Sequence, residues 1–395
     1  MLPEGWSVLK LDDVVTKTQL GTTERGTEDK SSSNSIPLIK MGNLGWGSIN
    51  FKKVEMIDKS YFDESLLLER GDFLFNTRNT PDLVGKSAVW LEDYPATFDN
   101  NINRISFKPV INSYYISYYL NNGKGKSLIQ ALPAGSTSVA AIYWKDLKNI
   151  KLVLPPLPEQ KKIAQILSTW DNAISATKRL LENSQQRKKA LMQQLLTGKK
   201  RLPGFEGEWR KLKLKDCATC HDNKRKPLNS EERSQMKGTI PYWGANGIVD
   251  YVSEYIFDGE FVLLAEDGGN FSEYQTRPIA NILRGKAWVN NHAHILSGKK
   301  DCTNAWLYYS LVHKNILGFV NGGTRAKLNK SDMLLIPINL PSIKEQQAIA
   351  KVLITADQEI DALQKRLEHL KLEKKALMQQ LLTGKRRVVA DVDAA

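Results

Sequence analysis

The sequence predicts a mixed α/β protein made of two related halves, each of which ends in a long helix. The first observation is a repeat: the twelve residues at 188–199 return unchanged at 374–385. The second is that the segments around these copies follow the heptad spacing of coiled-coil helices. Because a repeat at about half the chain length defines the structural unit, it comes before any assignment of fold.

The composition is that of a globular protein. Hydrophobic residues make up 41% of the chain and charged residues 25%, and no run of about 18 apolar residues indicates a membrane span. Residues 1–13 contain neither a basic leader nor an apolar core, so we expect a cytoplasmic protein. The three cysteines, Cys217, Cys220 and Cys302, are too few for a disulfide framework, which fits a reducing compartment.

The net charge of +13 predicts a polyanionic partner, most often a nucleic acid. Most of this charge lies in residues 159–201 and 343–387, the two repeated segments. Such segments suit contacts to DNA, contacts to a partner protein, or solvated helix faces whose cations complement the helix dipole.

Residues 1–154 are predicted to form the first α/β domain. A short helix is expected over Tyr114–Leu120, and Pro155-Pro156 ends the last strand. Short β-branched or alternating runs, separated by Gly and Asn turns, predict strands at Ile36–Ile39, Asp72–Phe75, Ala88–Leu91, Ile102–Phe107 and Asn149–Leu154.

The first long helix is predicted within residues 155–201. From Glu159 to Thr197 there is neither Gly nor Pro, and apolar residues recur with spacings of three and four. Pro158 suits a first helical turn, and Gly198 followed by basic residues suits a helix end.

Residues 202–340 repeat the first domain loosely. Phe98-Asp99-Asn100-Asn101 is echoed by Trp288-Val289-Asn290-Asn291, and Gly135-Ser136-Thr137 by Gly322-Gly323-Thr324. Framework positions are kept while the residues between them differ. We therefore expect two copies of one fold with different surfaces.

The second long helix is predicted within residues 341–387, followed by a tail of residues 388–395. Ser342 and Glu345 form a capping-box pattern at its start, and the heptad pattern continues to Leu381. Because each long helix ends one half of the chain, we expect the two to pair as an antiparallel coiled coil.

Motifs of catalysis and of cofactor binding are weak in this sequence. Cys217–His221 has the spacing of a haem attachment site, and His292 and His294 form a close pair. Neither is accompanied by the further ligands of a metal centre, so packing or polar contacts are expected. No dinucleotide fingerprint, GxSxG elbow or HExxH pair occurs. We therefore expect a binding protein without a catalytic site of its own.

Polar residues suited to DNA occur in matching loops of both halves. Arg can form paired hydrogen bonds with guanine, Asn with adenine, and Ser or Thr with phosphate. Each such residue also suits a solvated turn, but the recurrence in both halves favours DNA contact. The candidates are Arg78, Asn79, Lys86, Asn101, Asn103, Arg104, Ser136, Thr137 and Ser138 in the first half, and Arg277, Asn290, Asn291, His292, Thr324, Arg325 and Lys327 in the second.

The ordered set of these features resembles the DNA-specificity subunit of type I restriction–modification systems. The resemblance covers essentially the whole chain. It is carried by Leu154–Leu167 (LPPLPEQKKIAQIL), by its partner Leu340–Leu353 (LPSIKEQQAIAKVL) and by Lys188–Phe205 (KKALMQQLLTGKKRLPGF).

This resemblance implies two target recognition domains, each contacting one half of an asymmetric bipartite site in double-stranded DNA. It also implies a subunit that performs no catalysis. The implied partners are two methyltransferase subunits, which use S-adenosylmethionine, and restriction subunits, which use ATP and Mg²⁺; no membrane is implied. The alternatives are a stand-alone DNA-binding regulator and, further removed, a DNA-modifying enzyme.

Identity at positions outside the helical seam predicts a second surface. Heptad packing accounts for Leu191 and Leu195 but leaves their polar neighbours unexplained. Since the domain surfaces have diverged and this segment has not, we hypothesise that the two copies dock two identical methyltransferase subunits. The residues concerned are Lys189, Gln193 and Gln194, with their copies Lys375, Gln379 and Gln380.

The length of the helices predicts the distance between the half-sites. A helix of about 38 residues spans roughly 57 Å at 1.5 Å per residue, so the half-sites are expected about one turn of B-DNA or more apart. Inserting residues near Thr197–Gly198 should lengthen the spacer and leave both half-sites unchanged. A map of methylated adenines in cells that carry the variant and its partner measures this, and an unchanged spacer would contradict it.

Overall fold

A computed structural model describes residues 2–27, 34–135, 139–322 and 326–389. The chain forms two compact units that are not simple halves of the sequence. The first consists of Met1–Thr177 with Arg366–Ala395, and the second of Lys178–Lys365. Each unit therefore contains one α/β domain, the start of the long helix that follows it, and the end of the other long helix.

The elements up to the first long helix follow the predicted order. They are β1 (Ser7–Lys10), α1 (Leu11–Val14), β2 (Val15–Leu20), β3 (Ser35–Ile39), β4 (Glu55–Asp58), β5 (Phe73–Asn76), β6 (Arg78–Asn79), β7 (Ser87–Val89), β8 (Thr97–Phe98), β9 (Ile102–Phe107), α2 (Ser113–Leu120), α3 (Gly123–Gln130), β10 (Ala134–Gly135), β11 (Ala140–Ala141), α4 (Trp144–Leu147), β12 (Lys151–Leu154) and α5 (Leu157–Leu195).

The strands of the first domain form small sheets whose buried side chains make three hydrophobic clusters. One sheet has the antiparallel order β2-β9-β5-β7, and in another β3 lies between β4 and β8. β1 pairs with β12, so the first and last strands of the domain are neighbours.

The second half of the chain has a related set of elements. They are β13 (Arg210–Lys213), α6 (Leu214–Cys217), β14 (Ala218–Cys220), α7 (Ser230–Gln235), β15 (Lys237–Gly244), β16 (Gly247–Val252), β17 (Phe257–Ala265), β18 (Ala280–Val289), β19 (Ala293–Gly298), α8 (Asn304–Leu311), α9 (Lys330–Met333), β20 (Pro337–Leu340) and α10 (Ile343–Leu381).

Strand pairing in the second domain repeats that of the first. A six-stranded sheet has the order β14-β19-β17-β18-β15-β16, and β13 pairs with β20 as β1 does with β12. The parallel contact between β15 and β18 matches the one between β3 and β8. The predicted mixed α/β class and the predicted duplication are confirmed.

In the first unit the start of α5 packs antiparallel to the end of α10. Leu167 and Leu381 belong to the same buried core as the first domain. Further along α5, the Asp171 carboxylate lies 2.6 Å from the Lys374 ammonium, at an earlier position on α10. The contacts therefore advance along one helix as they recede along the other.

The second unit contains the same arrangement with the helices exchanged. Leu353 of α10 and Leu195 of α5 share the core of the second domain. Asp357 and Lys188, which follow in opposite directions, form an ion pair at 2.5 Å. Both units thus show the expected antiparallel pairing.

A buried glutamine attaches each long helix to its domain. Gln346 has no exposed surface. Its amide nitrogen donates to the carbonyls of Asp301 (2.8 Å) and Pro341 (2.9 Å), and its amide oxygen accepts the Thr303 N–H at 2.9 Å. In the first unit Gln160 makes the corresponding contacts to Val110, Pro155 and Asn112. Since every polar atom of the side chain is used, the helix start has one orientation on the domain.

The preceding glutamate connects three distant parts of each unit. The buried carboxylate of Glu345 accepts the indole N–H of Trp209 at 3.1 Å and pairs with Arg201. Only half of the predicted capping box forms, because this carboxylate is turned away from Ser342, whose hydroxyl accepts the Glu345 N–H at 3.4 Å.

Glu159 repeats these contacts in the first unit. Its carboxylate accepts the indole N–H of Trp6 at 3.0 Å and pairs with Arg387 at 2.8 Å. The segment that follows each long helix therefore returns to the start of the other.

Replacing Gln346 by alanine should destabilise the protein measurably. Two backbone carbonyls and one N–H would lose their partner in a buried position, and we expect the unfolding temperature to fall by roughly 5–10 °C. Replacing the adjacent, exposed Gln347 by alanine is the matched control and should change it by about 1 °C or less. Equal shifts in thermal unfolding followed by circular dichroism would contradict this role for Gln346.

Candidate nucleic-acid interface

Backbone hydrogen bonds bring four loops of the first domain together at one end. The Thr77 N–H donates to Asn101 O at 2.8 Å, and the Ile142 N–H donates to Thr77 O at 2.9 Å. The loop after β8 is joined to β3, since the Asp99 N–H donates to Ile39 O at 3.0 Å. The loops that carry Arg78 and Asn101 therefore lie next to each other.

Arg78 is the strongest candidate at this end of the first domain. It lies in β6, whose backbone pairs with β11, and its side chain is exposed. The guanidinium makes neither a hydrogen bond nor an ion pair with any residue that the structure describes. An exposed arginine held on a paired strand suits a bidentate contact to guanine or phosphate.

The neighbouring candidates are partly occupied by turn contacts. Asn79 Oδ1 accepts the Thr80 N–H at 2.9 Å, and Asn101 Nδ2 lies 3.4 Å from Asp99 Oδ2. Lys86 is half-buried beside β7. Asn79 and Asn101 therefore shape the loops, and each retains hydrogen-bonding atoms beyond these contacts.

Two candidates lie inside the first domain instead of on its surface. Asn103 is buried, and its amide oxygen accepts the Gln19 N–H at 3.0 Å. The Arg104 side chain is only 12% exposed and contacts Asp72 at 3.1 Å and the carbonyl of Leu67 at 2.7 Å. Both side chains contact Gln19 of β2, so they join neighbouring strands inside the domain.

The loops of the second domain meet in the same way. The Asn290 N–H donates to Trp243 O at 3.0 Å, and the Glu266 N–H donates to His292 O at 2.9 Å. A bridge between Asp267 and Lys327 joins the following loop. We call residues 243–249, 266–270, 290–292 and 326–327 the loop face of the second domain.

The candidate residues on this loop face differ in solvent exposure and in the contacts that their side chains make. Asn291 is exposed, whereas Asn290 is buried and its side chain accepts the His292 N–H at 2.8 Å. The Lys327 ammonium lies 3.5 Å from Glu266 and remains about half exposed. Outside the loop face as defined, Arg277 is exposed and pairs with Glu273 at 2.9 Å. Asn291 and Lys327 are the side chains best placed to meet a ligand.

A buried charged cluster supports the loop face from beneath. Arg225 contacts Glu266 and donates to Ala293 O at 2.9 Å. His294, which is fully buried, lies 2.6 Å from Asp222 through Nδ1 and 2.8 Å from a backbone carbonyl through Nε2. Burial favours a raised pKa for Asp222, but hydrogen bonds and the charges of His294 and Arg225 outweigh it and lower that pKa to about 2.

Side chains from the histidine and cysteine motifs meet in this cluster. Cys220, Asp222 and His294 place their ligand atoms within 4.8 Å of one another. Both ring nitrogens of His294 are already in hydrogen bonds, and the cationic Arg225 lies 3.4 Å from Asp222. Polar contacts within the domain thus hold His294 and Asp222, whereas His292 belongs to the loop face.

The repeated helix ends present the same exposed side chains twice. Six polar residues lie on the solvent side of the two helices, namely Lys189, Gln193, Gln194, Lys375, Gln379 and Gln380. We call these six residues the docking surface, which has two copies with three residues on each long helix. After each copy the helix ends at a glycine with positive φ, Gly198 (72°) and Gly384 (71°), so the two surfaces share their local geometry.

Some predicted residues cannot be placed. Ser136, Thr137, Ser138, Thr324 and Arg325 lie outside the described residues. Among the described helices, none is both long and apolar enough to cross a membrane.

The duplicated α/β domain and the paired long helices define the class of protein: a two-domain scaffold with variable loops at one end of each domain. Residues 3–183 and 206–372 match the family model of the type I restriction modification DNA specificity domain. These segments cover most of the chain, so the chain belongs to this family and contains two copies of its domain.

Relatives of the chain carry the same description. It is 26% identical over 416 aligned positions to the putative type I restriction enzyme MjaX specificity subunit of Methanocaldococcus jannaschii, covering 98% of this chain and 95% of the relative. It is 43% identical over 154 residues to the putative type I restriction enzyme specificity subunit S.HindORF215P of Haemophilus influenzae, where the match spans 39% of this chain and 38% of the relative.

A solved structure shows the same fold at low identity. The S subunit of a type I restriction–modification system from M. genitalium matches with a TM-score of 0.65 and 17% identity, covering 95% of this chain and 96% of that one. The resemblance inferred from the sequence is confirmed.

Proposed function

We propose that this chain is the DNA-recognition subunit of a type I restriction–modification complex. Each domain contacts one half of an asymmetric bipartite site, and the long helices set the spacer between the halves. The observation that carries this proposal is that the two domains have the same strand order but different side chains in the corresponding loops. A duplicated scaffold with identical loops would favour a symmetric site, whereas different loops favour two different half-sites.

Catalysis in this proposal belongs to other subunits. Methyltransferase subunits use S-adenosylmethionine as the methyl donor, and restriction subunits hydrolyse ATP with Mg²⁺. The chain contributes recognition and assembly, and it acts in the cytoplasm, where the DNA lies. A stand-alone regulator is the weaker candidate, because it would not require an identical surface on both helices.

A map of methylated adenines tests the recognition proposal. In cells that carry this chain and its methyltransferase, we expect one asymmetric bipartite motif. Arg78→Ala should weaken or relax recognition by about 10- to 100-fold at one position of one half-site, because it removes an exposed guanidinium while the strand pairing remains. The other half-site serves as the internal control.

Two outcomes would count against this proposal. A palindromic motif would contradict two domains of different specificity. Modification or cleavage of DNA by the purified chain alone would favour the enzyme alternative.

We also propose that the docking surface binds two identical methyltransferase subunits. Its side chains are exposed, so neither the coiled-coil seam nor the domain cores explain why both copies are the same. The neighbouring repeated residues do have internal roles: Lys188 and Lys374 pair with Asp357 and Asp171. The identity that the fold does not explain is therefore limited to the side chains of the docking surface and to the ends of the repeat.

Glutamine substitutions on the docking surface test this second proposal. Replacing Gln193, Gln194, Gln379 and Gln380 together by alanine should weaken assembly with the methyltransferase by roughly tenfold or more. Alanine favours helix, so the fold should be preserved. Replacing only Gln193 and Gln194 should leave one docking site, and native mass spectrometry should then show one methyltransferase bound where the wild type binds two.

The same helix offers a matched control. Gln185 and Gln186 are also exposed, but they are not repeated in α10. Their replacement by alanine should leave assembly unchanged. If the variant with all four glutamines replaced still binds two methyltransferases, the identity of the two copies reflects gene duplication and not docking.

A further inference from the structure

The hairpin formed by β15 and β16 ends in two adjacent apolar side chains that face solvent. Ile248 is 44% exposed and Val249 is 62% exposed. They follow a tight turn, and β16 is the edge strand of the six-stranded sheet. Single exposed apolar residues are common on proteins, so the exposure alone identifies no site. Their position in the domain does.

An irregularity in the strand pairing places Val249 outside the ladder. Tyr242 pairs with Asp250, and the next residue, Trp243, pairs with Ile248. Val249 is therefore the extra residue of a β-bulge. Bulges interrupt the alternation of side chains and redirect one of them, and they occur frequently beside functional sites.

The tip of this hairpin belongs to the loop face. Asn246 Nδ2 donates to Gly268 O at 2.9 Å. A Cβ atom added to Gly244 would lie 3.0 Å from Val249 Cγ1 and 3.5 Å from the Asn290 amide nitrogen. The Val249 side chain therefore lies beside the loop that carries Asn290 and the exposed Asn291.

The first domain has different chemistry at the corresponding position. Asp99 N–H donates to Ile39 O just as Asn290 N–H donates to Trp243 O, so the end of β3 corresponds to the end of β15. The strand that corresponds to β16 is therefore β4, where Leu38 pairs with Glu55 as Tyr242 pairs with Asp250. The residue before Glu55 is Val54, which packs against a hydrophobic cluster of the first domain, so the exposed, bulged pair of Ile248 and Val249 is a property of the second domain's surface.

We propose that Ile248 and Val249 recognise thymine in the half-site contacted by the second domain. Their apolar surfaces would pack against the 5-methyl group in the major groove, which distinguishes thymine from the other bases. Because this inference rests on the proposed recognition of DNA, its test has to separate the two. Buried against a thymine methyl, these side chains would complement the hydrogen bonds available from Asn291 and Lys327.

Replacing thymine by uracil, which lacks only the methyl group, measures this contact directly. The complex of this chain with its methyltransferase is titrated with duplexes that carry uracil at each thymine of the second half-site in turn. For the wild type we expect affinity to fall about fourfold at one or two positions, as for the loss of one buried carbon. For Ile248→Ala with Val249→Ala, the same substitutions should have no further effect.

A variant in the first domain provides the matched control. Met41 is an exposed apolar side chain two residues after β3, and Met41→Ala should leave the uracil profile of the second half-site as in the wild type. An unchanged uracil profile in the double variant would overturn the thymine contact. Loss of methyltransferase binding by the double variant would overturn it as well, because the tip would then be a protein contact.

The experiment distinguishes this inference from the function on which it rests. If the wild-type complex fails to bind any bipartite site, the proposed function itself fails. If it binds the site but is indifferent to every uracil, only the role of Ile248 and Val249 is lost.

Discussion

The buried Glu-Gln pair at the start of each long helix is the contact on which the rest of the structure depends. Gln346 uses all of its hydrogen-bonding groups on the second domain, and Glu345 binds Trp209 and Arg201. A buried carboxylate requires partners of this kind, and the start of a helix favours negative charge. The pair therefore orients the helix, fastens the entry to the domain, and captures the segment that leaves the other helix. Gln160 and Glu159 do the same in the first unit.

With the helix starts fixed, the loops of the two domains are free to differ. The first domain places Arg104 between strands and presents Arg78, whereas the second buries a cluster of four ionisable side chains and presents an apolar hairpin tip. These internal arrangements are specific to each domain, yet the strand order is shared. Different recognition surfaces on a constant scaffold are what an asymmetric DNA site requires.

Some of the repeated residues in the long helices make contacts inside each unit. Lys188 and Lys374 reach Asp357 and Asp171, which in turn accept the hydroxyl groups of Tyr309 and Tyr118. Burial, with the adjacent carboxylate, raises the pKa of both tyrosines, so they remain neutral donors. Each triad connects a domain helix, α2 or α8, to both long helices. The adjacent side chains of Gln193 and Gln194 are exposed and lie outside these triads.

The sequence alone determined the duplication, the two long helices, most strands of the first domain and the family, because periodicity and repetition are local properties of a chain. Only the tertiary structure decided which polar residues are free. Asn103, Arg104 and Asn290 looked like surface groups but are held by contacts with residues far away in sequence or by turn geometry. Ile248 and Val249 gave no signal in the sequence, since the same β-branched residue types occur in buried strands and at this exposed hairpin tip. Exposure depends on what packs against a side chain, and for this chain those neighbours come from distant segments.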